Sequence, residues 1–168
     1  MKEVELTQGR KALVDDEDWV LLQSLVSKHG RVMRWCVNAG YAYNKTHGLL
    51  HRFLMQAPPG IDVDHINGNK LDCRRDNMRF CTDAQNQQNR KAKFQGYSQF
   101  KGAHWDKNRQ FWMARIRIDK KLVYIGSFDT DKEAGAAYNE TARKHFGEFA
   151  SLNDLENTPI SPLRRTRT

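Results

Sequence analysis

The stretch FWMARIRI at residues 111–118 constrains the fold of this chain more than any other part of its sequence. Apolar residues occupy every second position from Trp112 to Ile118, and Arg115 and Arg117 lie between them. Successive side chains of a strand point to opposite faces, so this alternation predicts a strand with one buried face. The opposite face then presents both arginines to solvent or to a partner.

Two turns and a capped helix flank this strand. Residues 106–109 and 119–121 are rich in Asp, Lys and Asn, which predicts turns and therefore three consecutive strands. Thr130 and Glu133 have the spacing of a capping box, a helical apolar period follows them, and Gly147 ends that period. Together these features predict a three-stranded antiparallel sheet packed on one helix.

The first 60 residues contain weaker patterns. VDDEDW at 14–19 is expected to be an acidic turn, and the short runs on either side of Gly40 are typical of a small hairpin. GLLHRFLMQ at 48–56 places leucine and phenylalanine at helical spacing, and Pro-Pro-Gly at 58–60 ends that helix. The polar segment that begins at Ile61 therefore follows a defined helix end.

Within this polar segment, three apolar residues between Ile61 and Ile66 predict a short strand, and Asn-Gly at 67–68 is a strong hairpin-turn signal. Asp64 and His65 are neighbours on that strand. Their side chains can therefore converge only where a bulge or a turn bends the backbone.

A helix and a linker are expected next. Thr82 is a suitable N-cap for a helix that continues towards Lys91. The polar tetrapeptide GYSQ at 96–99 is expected to be a linker. Two short strands and a helix therefore precede the linker.

The charge of the chain indicates a polyanionic partner. Lys and Arg number 28 against 20 Asp and Glu, which gives a formal net charge of +8 spread along the chain. There is no apolar run of the ~18 residues that a membrane span requires. The N-terminus has no signal-peptide core, so we expect a soluble intracellular protein that is not secreted. The three cysteines lack CxxC spacing, so neither a disulfide framework nor a structural zinc site is expected.

Asp64 and His65 have the side chains that phosphodiester hydrolysis requires. That reaction needs a base to activate water and a positive centre to stabilise the phosphorane and the departing 3′ oxygen. Asn77 and Asn86, 12 and 21 positions after His65, are candidates to orient the imidazole or complete a metal shell. An Asp-His pair before Asn-Gly is, by itself, more often a solvated turn. The hypothesis of a hydrolytic site therefore depends on the surrounding sequence.

The surrounding sequence resembles a known family. LHRFLM, PPGIDVDHINGNKLDCRRDNMRFCT and QNQQNRK, within residues 47–92, are similar to the phage and intron-associated homing branch of the HNH nucleases. The resemblance implies an α+β nuclease domain with a ββα-metal motif (His-Me finger) over about 61–92, in an H-N-N form. It also implies a metal-dependent DNA endonuclease that acts in the cytoplasm of a phage-infected bacterial host.

Residue by residue, the resemblance implies that His65 is the general base and that Asn77 holds its ring through a hydrogen bond. Asp64 and Asn86 would bind one Mg²⁺ ion, with Mn²⁺ as a substitute, because oxygen ligands suit a hard cation. One carboxylate and one amide neutralise a single charge of that ion, so we expect weak metal binding without DNA. Asn89 is an alternative last ligand if it lies on the same helical face.

Other residues near the motif are accessory candidates. His51 could reach the site or the substrate, and a helix-packing or capping histidine is the alternative. Five basic residues are candidate phosphate contacts, with a generic basic surface as the alternative: Arg74, Arg75, Arg79, Arg90 and Lys91. Cys73 and Cys81 are expected to be ordinary thiols and not nucleophiles.

Residues 100–153 resemble a second family, the Apetala-two or ethylene-response-factor DNA-binding domain, in FKGAHWD, FWMARIRI, YIGSFDTDKEAGAAYNETA and FGEFASLN. That family lays its three-stranded sheet in the major groove of duplex DNA. The positions that match its DNA contacts are Lys101, His104, Arg115, Arg117 and Tyr124. Arg115 stands where plant members usually have an acidic residue, so their target sequence does not transfer. A solvated sheet face is the alternative for the two arginines.

The sequence therefore predicts a two-domain α+β protein, with a nuclease domain at 1–95, a linker at 96–99, a DNA-binding domain at 100–153 and a basic, disordered tail at 154–168. We predict a monomeric homing-type endonuclease that nicks one strand of double-stranded DNA at a site selected by the C-terminal sheet, with no obligate protein partner. The rival hypotheses are a DNA-binding regulator with an inactive nuclease fold and an RNA-binding or splicing-assistance protein.

Overall fold

The computed structural model describes residues 1–26, 28–90 and 97–163. They belong to two compact units, Met1–Gln87 and Gln88–Thr168. Every named strand pair in the described residues is antiparallel, which confirms a mixed fold of helices and several small antiparallel sheets. None of the helices in the described ranges is long and apolar enough to cross a membrane.

The first unit contains three small sheets separated by short helices. In chain order its elements are β1 (Lys2–Glu5), β2 (Lys11–Val14), α1 (Asp16–Ser24), β3 (Cys36–Asn38), β4 (Tyr41–Asn44), β5 (Gly48–Leu49), α2 (Leu50–Leu54), β6 (Asp62–His65), β7 (Met78–Cys81) and α3 (Asp83–Gln88). The sheets pair β1 with β2, β3 with β4 and β5, and β6 with β7. The hairpin expected around Gly40 is confirmed as β3 and β4.

Helix α1 corrects the expectation of an acidic turn. Asp16, Glu17 and Asp18 occupy its first turn, where negative side chains interact favourably with the positive end of the helix dipole. The cluster of acids that suggested a turn therefore belongs to a helix N-terminus. Leu22 on this helix is buried.

The core of the first unit lies between β2, α1 and α2. Val14, Leu22, Leu50 and Leu54 are almost fully buried and belong to one apolar cluster. Full burial of such a side chain contributes about 1.5–3 kcal/mol. This core fixes α2 beside β6, and α2 carries one of the candidate site residues.

A long loop, residues 66–77, separates β6 from β7, so the direct hairpin expected at Asn-Gly is wrong. The turn itself is present, because Gly68 has a φ of 73° and its N–H donates to the last carbonyl of β6 at 2.8 Å. The chain then runs along β2, where Leu13 donates to the Leu71 carbonyl and accepts from the Cys73 N–H, each at 2.8 Å. Because the loop pairs with β2, the chain does not return directly from β6 to β7.

The second unit contains the three strands and the helix expected from the sequence. They are β8 (Ala103–Asp106), β9 (Phe111–Ile118), β10 (Lys121–Phe128) and α4 (Asp131–Phe146), with β9 in the centre of the sheet. The capping box of Thr130 and Glu133 is present at the start of α4. Trp112, Ala114 and Ile116 are buried on the face of β9 that packs against α4.

Gly102 shows how closely this sheet meets the helix. Its φ is 85°, and a Cβ there would lie 2.2 Å from Cδ2 of Tyr138 and 2.9 Å from the Arg115 carbonyl oxygen. Both the backbone conformation and the lack of space require glycine at this position.

Parts of the expected linker and tail belong to the fold of the second unit. Ser98 is buried and donates to Asp131 at 2.9 Å, and the Ser161 N–H donates to the same carboxylate at 3.1 Å. Trp112 donates its indole N–H to the Leu163 carbonyl at 3.0 Å. The expectation of a disordered tail is therefore wrong for residues up to 163, because they satisfy buried polar groups. Residues 91–96, which include the expected helix extension to Lys91, lie outside the described residues.

Candidate functional site

The β6–β7 ladder positions the first two candidate residues. Asp64 pairs with Arg79 and His65 pairs with Met78 in an unbroken register. The bend expected at Asp64 and His65 is absent, because the strand runs regularly through both residues and the turn begins only after His65. Strand alternation therefore directs the two side chains to opposite faces of the ladder.

Asp64 is held by an enclosed ion pair. Nε and Nη2 of Arg79 donate to the same carboxylate oxygen, Oδ2, at 3.0 and 2.8 Å. The two side chains are only 7% and 11% exposed. Arg79 was expected among the candidate phosphate contacts, but in this structure it lies on the predicted metal ligand.

Asn86 reaches the same strand from α3. Its Nδ2 donates to Asp62 Oδ2 at 3.3 Å. Thr82 fixes the start of this helix, since its Oγ1 accepts from the Gln85 N–H at 3.3 Å. Asp62 is two residues before Asp64, so both project from one face of β6. The sequence reasoning did not identify Asp62, although this i, i+2 spacing is visible in the sequence.

His65 is buried at the end of β6. Burial lowers the pKa of its imidazole below the ordinary value, and the carboxylates of Asp64 and Asp72 oppose that shift. Cys73 Sγ lies 4.0 Å from His65 Nε2. Burial, with a smaller contribution from Asp72, raises the pKa of the Cys73 thiol to about 12. The imidazole is therefore neutral at physiological pH, and the neighbouring sulfur keeps its proton.

The structure brings His51 to His65. Their ring centroids are 4.8 Å apart with the rings edge to face, and Tyr41 lies 5.2 Å from the His51 ring. Burial and the neighbouring His65 lower the pKa of His51 to about 3. Its Nδ1 is buried with no hydrogen-bond partner among the described residues. His51 therefore belongs to the neighbourhood of the candidate base.

Asn77 orders the loop before β7. Its Oδ1 accepts from the Asn67 N–H at 3.0 Å, and its Nδ2 donates to the Asp72 carbonyl at 2.8 Å and to Asn67 Oδ1 at 3.1 Å. The family resemblance implied a bond to the His65 ring, but the amide of Asn77 is directed to the loop. Asn77 thus stabilises the loop 66–77 through hydrogen bonds to Asn67 and Asp72.

Two of the other candidate phosphate contacts are also paired with carboxylates. Arg74 donates to Asp72 through Nε and Nη2, both at 2.7 Å, and this contact lowers the pKa of Asp72. Arg75 donates to Asp18 at 2.7 and 3.0 Å. These arginines stabilise the fold of the first unit.

The remaining candidates near α3 lie at or beyond its end. The helix ends at Gln88, and Asn89 lies in the turn that directly follows it, so Asn89 stays an alternative ligand. Arg90 is exposed. Lys91 lies outside the described residues.

The oxygen atoms near β6 suit a hard divalent cation. Asp64 supplies a carboxylate, Asn86 an amide, and Asp62 a second carboxylate in contact with Asn86. Carboxylate and amide oxygens are the ligands that Mg²⁺ and Mn²⁺ accept. Within residues 1–26, 28–90 and 97–163 no three His, Cys, Asp or Glu side chains converge on one point. Water and substrate oxygens would therefore complete the shell.

The second unit presents the expected basic face. Arg115 and Arg117 alternate with the buried residues of β9, and Arg117 is exposed. Arg115 Nε is buried without an acceptor among the described residues. Tyr124 pairs with Arg115 across the sheet, is exposed, and shares a hydrogen bond of 2.6 Å with Ser127.

Lys101 and His104 are half-buried, whereas Arg117 is exposed. Lys101 Nζ donates to the carbonyls of Gln88 and Arg90 at 2.8 and 2.7 Å, and burial lowers its pKa to about 8. His104 is half-buried, and burial together with the charge of Arg115 lowers its pKa. In this structure Lys101 is thus engaged with the backbone.

Comparisons with known proteins find similarity to HNH endonucleases. A family model described as HNH endonuclease matches residues 56–88. Protein 3.8 of Escherichia phage T7 is 32% identical over 93 residues, which are 55% of this chain and 76% of that protein. An uncharacterized HNH endonuclease of Acanthamoeba polyphaga mimivirus is 29% identical over 158 residues, 89% of this chain and 78% of that protein.

A plant protein matches a shorter region. The dehydration-responsive element-binding protein 2D of Arabidopsis thaliana is 40% identical over 53 residues, 30% of this chain and 26% of that protein. No solved structure matches the chain. The relatives thus include a protein named as an HNH endonuclease and a protein named for binding a response element.

Proposed function

Because this chain belongs to the HNH endonuclease family, we propose that it is a metal-dependent DNA endonuclease of the homing type. It hydrolyses a phosphodiester bond of double-stranded DNA. The observation that supports this proposal is the antiparallel pair of β6 and β7 followed by α3, in which Asn86 contacts the strand that carries Asp64 and His65 through Asp62.

In this proposal His65 is the general base. Its burial lowers its pKa, so the neutral form that can accept a proton prevails at neutral pH. The imidazole takes the proton of a water molecule as that water attacks phosphorus, and the bond from phosphorus to the 3′ oxygen breaks. Asn77 supports this step indirectly by ordering the loop after His65.

Asp64 and Asn86 would hold one divalent cation, Mg²⁺ or its substitute Mn²⁺. When bound, that ion would supply positive charge for the phosphorane and the departing 3′ oxygen. The fit rests on the oxygen donors of both side chains, with Asp62 as a further carboxylate beside Asn86. Because the protein offers few charged ligands, the phosphate of DNA would complete the ion's surroundings.

The C-terminal sheet would select the cleavage site. Arg117 is exposed on β9, and Arg115 has a buried Nε without an acceptor in the described residues. An arginine can donate two parallel hydrogen bonds to O6 and N7 of guanine, which distinguishes that base in the major groove. Tyr124 and His104 flank these arginines. Lys101 would contact DNA only after its hydrogen bonds to backbone carbonyls rearrange. Arg90 would contact DNA at the edge of the site.

Residues 1–95 and 100–153 were the bounds expected for the nuclease and DNA-binding domains. We assign the two functions to the compact units Met1–Gln87 and Gln88–Thr168 instead, because Ser98 and Leu163 belong to the fold of the second unit. One set of Asp64, His65 and Asn86 per chain supports a monomer that nicks one strand in each binding event. The similarity to a phage protein supports action inside an infected bacterial cell.

A plasmid assay tests the proposal. Purified protein with Mg²⁺ should convert supercoiled DNA that carries the target to the open-circular form. His65→Ala should slow this conversion by on the order of 100-fold or more. His29→Ala, at an exposed histidine of the same unit, is the matched control and should nick at the wild-type rate. Intact plasmid across a library of sequences, or full activity of His65→Ala, would refute the proposal.

The second candidate is a DNA-binding regulator with an inactive nuclease fold. The similarity of 53 residues of this chain to a plant element-binding protein favours it. Tight, sequence-selective binding by the intact chain, with no cleavage in either Mg²⁺ or Mn²⁺, would support the regulator over the nuclease.

A further inference from the structure

Arg79 and Asp64 form the most enclosed ion pair that the described residues contain. Their side chains are 11% and 7% exposed, whereas the arginines of the other two Arg–Asp pairs, Arg74 and Arg75, are 32% and 53% exposed. Nε and Nη2 of Arg79 both donate to Asp64 Oδ2. The carboxylate that would bind the cation is therefore already neutralised by a buried guanidinium.

A divalent cation and Arg79 would compete for this carboxylate. Two positive groups repel each other strongly in an enclosed, poorly hydrated site. Arg79 is paired with Asp64 across the ladder and cannot move away without losing both hydrogen bonds. Its planar fork, however, also matches the oxygens of a phosphate group.

We infer that Arg79 is a positioning residue that makes metal loading depend on DNA. Paired with Asp64, it weakens metal binding to the free protein; transferred to a backbone phosphate, it releases the carboxylate to the cation. This inference depends on the proposed function only in taking Asp64 as a metal ligand. The protein would thus become loaded mainly when a phosphodiester is present.

Such coupling is reciprocal. If DNA raises the affinity for the metal by some factor, the metal must raise the affinity for DNA by the same factor. Substitution of Arg79 by an uncharged residue should abolish both effects. The free protein should then bind metal more tightly, which is a gain that simple loss of structure would not produce.

The test measures Mn²⁺ binding to the full chain at pH 8, from the electron paramagnetic resonance signal of the free ion. Without DNA, Arg79→Gln should bind Mn²⁺ on the order of tenfold more tightly than the wild type. Arg74→Gln removes a guanidinium paired with Asp72 instead and should leave the affinity unchanged. Asp64→Asn should lose this binding in either background.

The second arm adds duplex DNA of random sequence in a His65→Ala background, which prevents cleavage. DNA should increase the Mn²⁺ affinity of the protein that retains Arg79 by a similar factor and should have little effect in Arg79→Gln. Should Arg79→Gln fail to fold, Arg79→Met removes the charge and keeps a long side chain that can pack in the same space. It should also bind Mn²⁺ more tightly than the wild type does.

An unchanged or weaker Mn²⁺ affinity in a folded Arg79→Gln protein, or in Arg79→Met if the glutamine variant does not fold, would overturn the inference. If the wild type cleaves DNA nevertheless, the proposed function stands, but Arg79 does not control metal binding. If Arg79→Gln tightens Mn²⁺ binding at Asp64 but no DNA is cut, Arg79 and the metal do compete for Asp64, and the proposed nuclease function is refuted. Absence of Mn²⁺ binding at Asp64 in every variant would overturn both.

Discussion

The rings of His51 and His65 meet edge to face with their centroids 4.8 Å apart, although α2 carries one and β6 ends with the other. Burial lowers the pKa of both imidazoles. A proton added to either ring would place a charge in a poorly hydrated site beside a second basic group. This contact therefore connects the pH of the solution to the packing of α2 against β6.

The stability of the protein should fall in acid because of His51. Its pKa is about 3 in the folded chain and 6.5 ordinarily, so the unfolded state binds the proton more readily between these values. Stability from this group is fully present above pH 6.5 and is lost as the pH falls towards 3. Each pH unit within that window should remove about 1.4 kcal/mol. Urea unfolding at several pH values measures this slope.

The variant that tests this assignment is His51→Gln. It should have a shallower dependence of unfolding free energy on pH than the wild type, whatever its absolute stability. Parallel curves for His51→Gln and wild type would contradict the assignment.

Arg75→Ala should destabilise the first unit more than Asp18→Ala does. Asp18 is buried and receives two hydrogen bonds from Arg75, whose own side chain is 53% exposed. Removal of the arginine leaves a buried carboxylate unpaired, which should reduce the unfolding free energy by about 2–3 kcal/mol. Removal of the carboxylate leaves an arginine that reaches water, so Asp18→Ala should reduce the unfolding free energy by only about 1 kcal/mol. Chemical denaturation of the two variants gives the order, and the reverse order would refute this account.

Asn77→Ala should destabilise the protein by about 3 kcal/mol, because three hydrogen bonds of about 1 kcal/mol each are lost. Asn38→Ala, at an exposed asparagine of the same unit, should change stability by less than about 0.5 kcal/mol. The midpoint of urea unfolding compares them. Equal midpoints for both variants would show that the loop does not depend on the Asn77 amide.

Arg115→Ala and Arg117→Ala should weaken DNA binding, whereas Arg143→Ala should not. Arg143 is exposed on α4, which packs on the opposite face of the sheet. If an arginine reads guanine, its loss should also reduce discrimination between target and unrelated duplex by about 1–3 kcal/mol. Competition binding at fixed salt measures both quantities. A larger effect of Arg143→Ala would place recognition on the helix.

The second unit could be predicted from local patterns. Alternation in β9 and the capping box at Thr130 and Glu133 are properties of neighbouring residues, and the structure contains both. The engagement of Leu163 with Trp112 could not be predicted in this way. It joins segments far apart in sequence, and a Pro- and Arg-rich composition alone suggests disorder.

The candidate site could be predicted less completely. The types and spacing of Asp64, His65 and Asn86 indicated the chemistry, and the i, i+2 relation of Asp62 to Asp64 was available but unused. The pairing of Asp64 with Arg79 depends on the register of two strands separated by the loop 66–77. No periodicity in the sequence specifies that register.

The bond from Trp112 to Leu163 determines where a useful fragment of the second unit must end. The sequence resemblance to the DNA-binding family stops at Asn153, and a protein trimmed there would lack the carbonyl that accepts the indole N–H. A buried donor left without its acceptor reduces stability by about 1–3 kcal/mol. Fragments of the second unit for binding studies should therefore extend at least through Leu163.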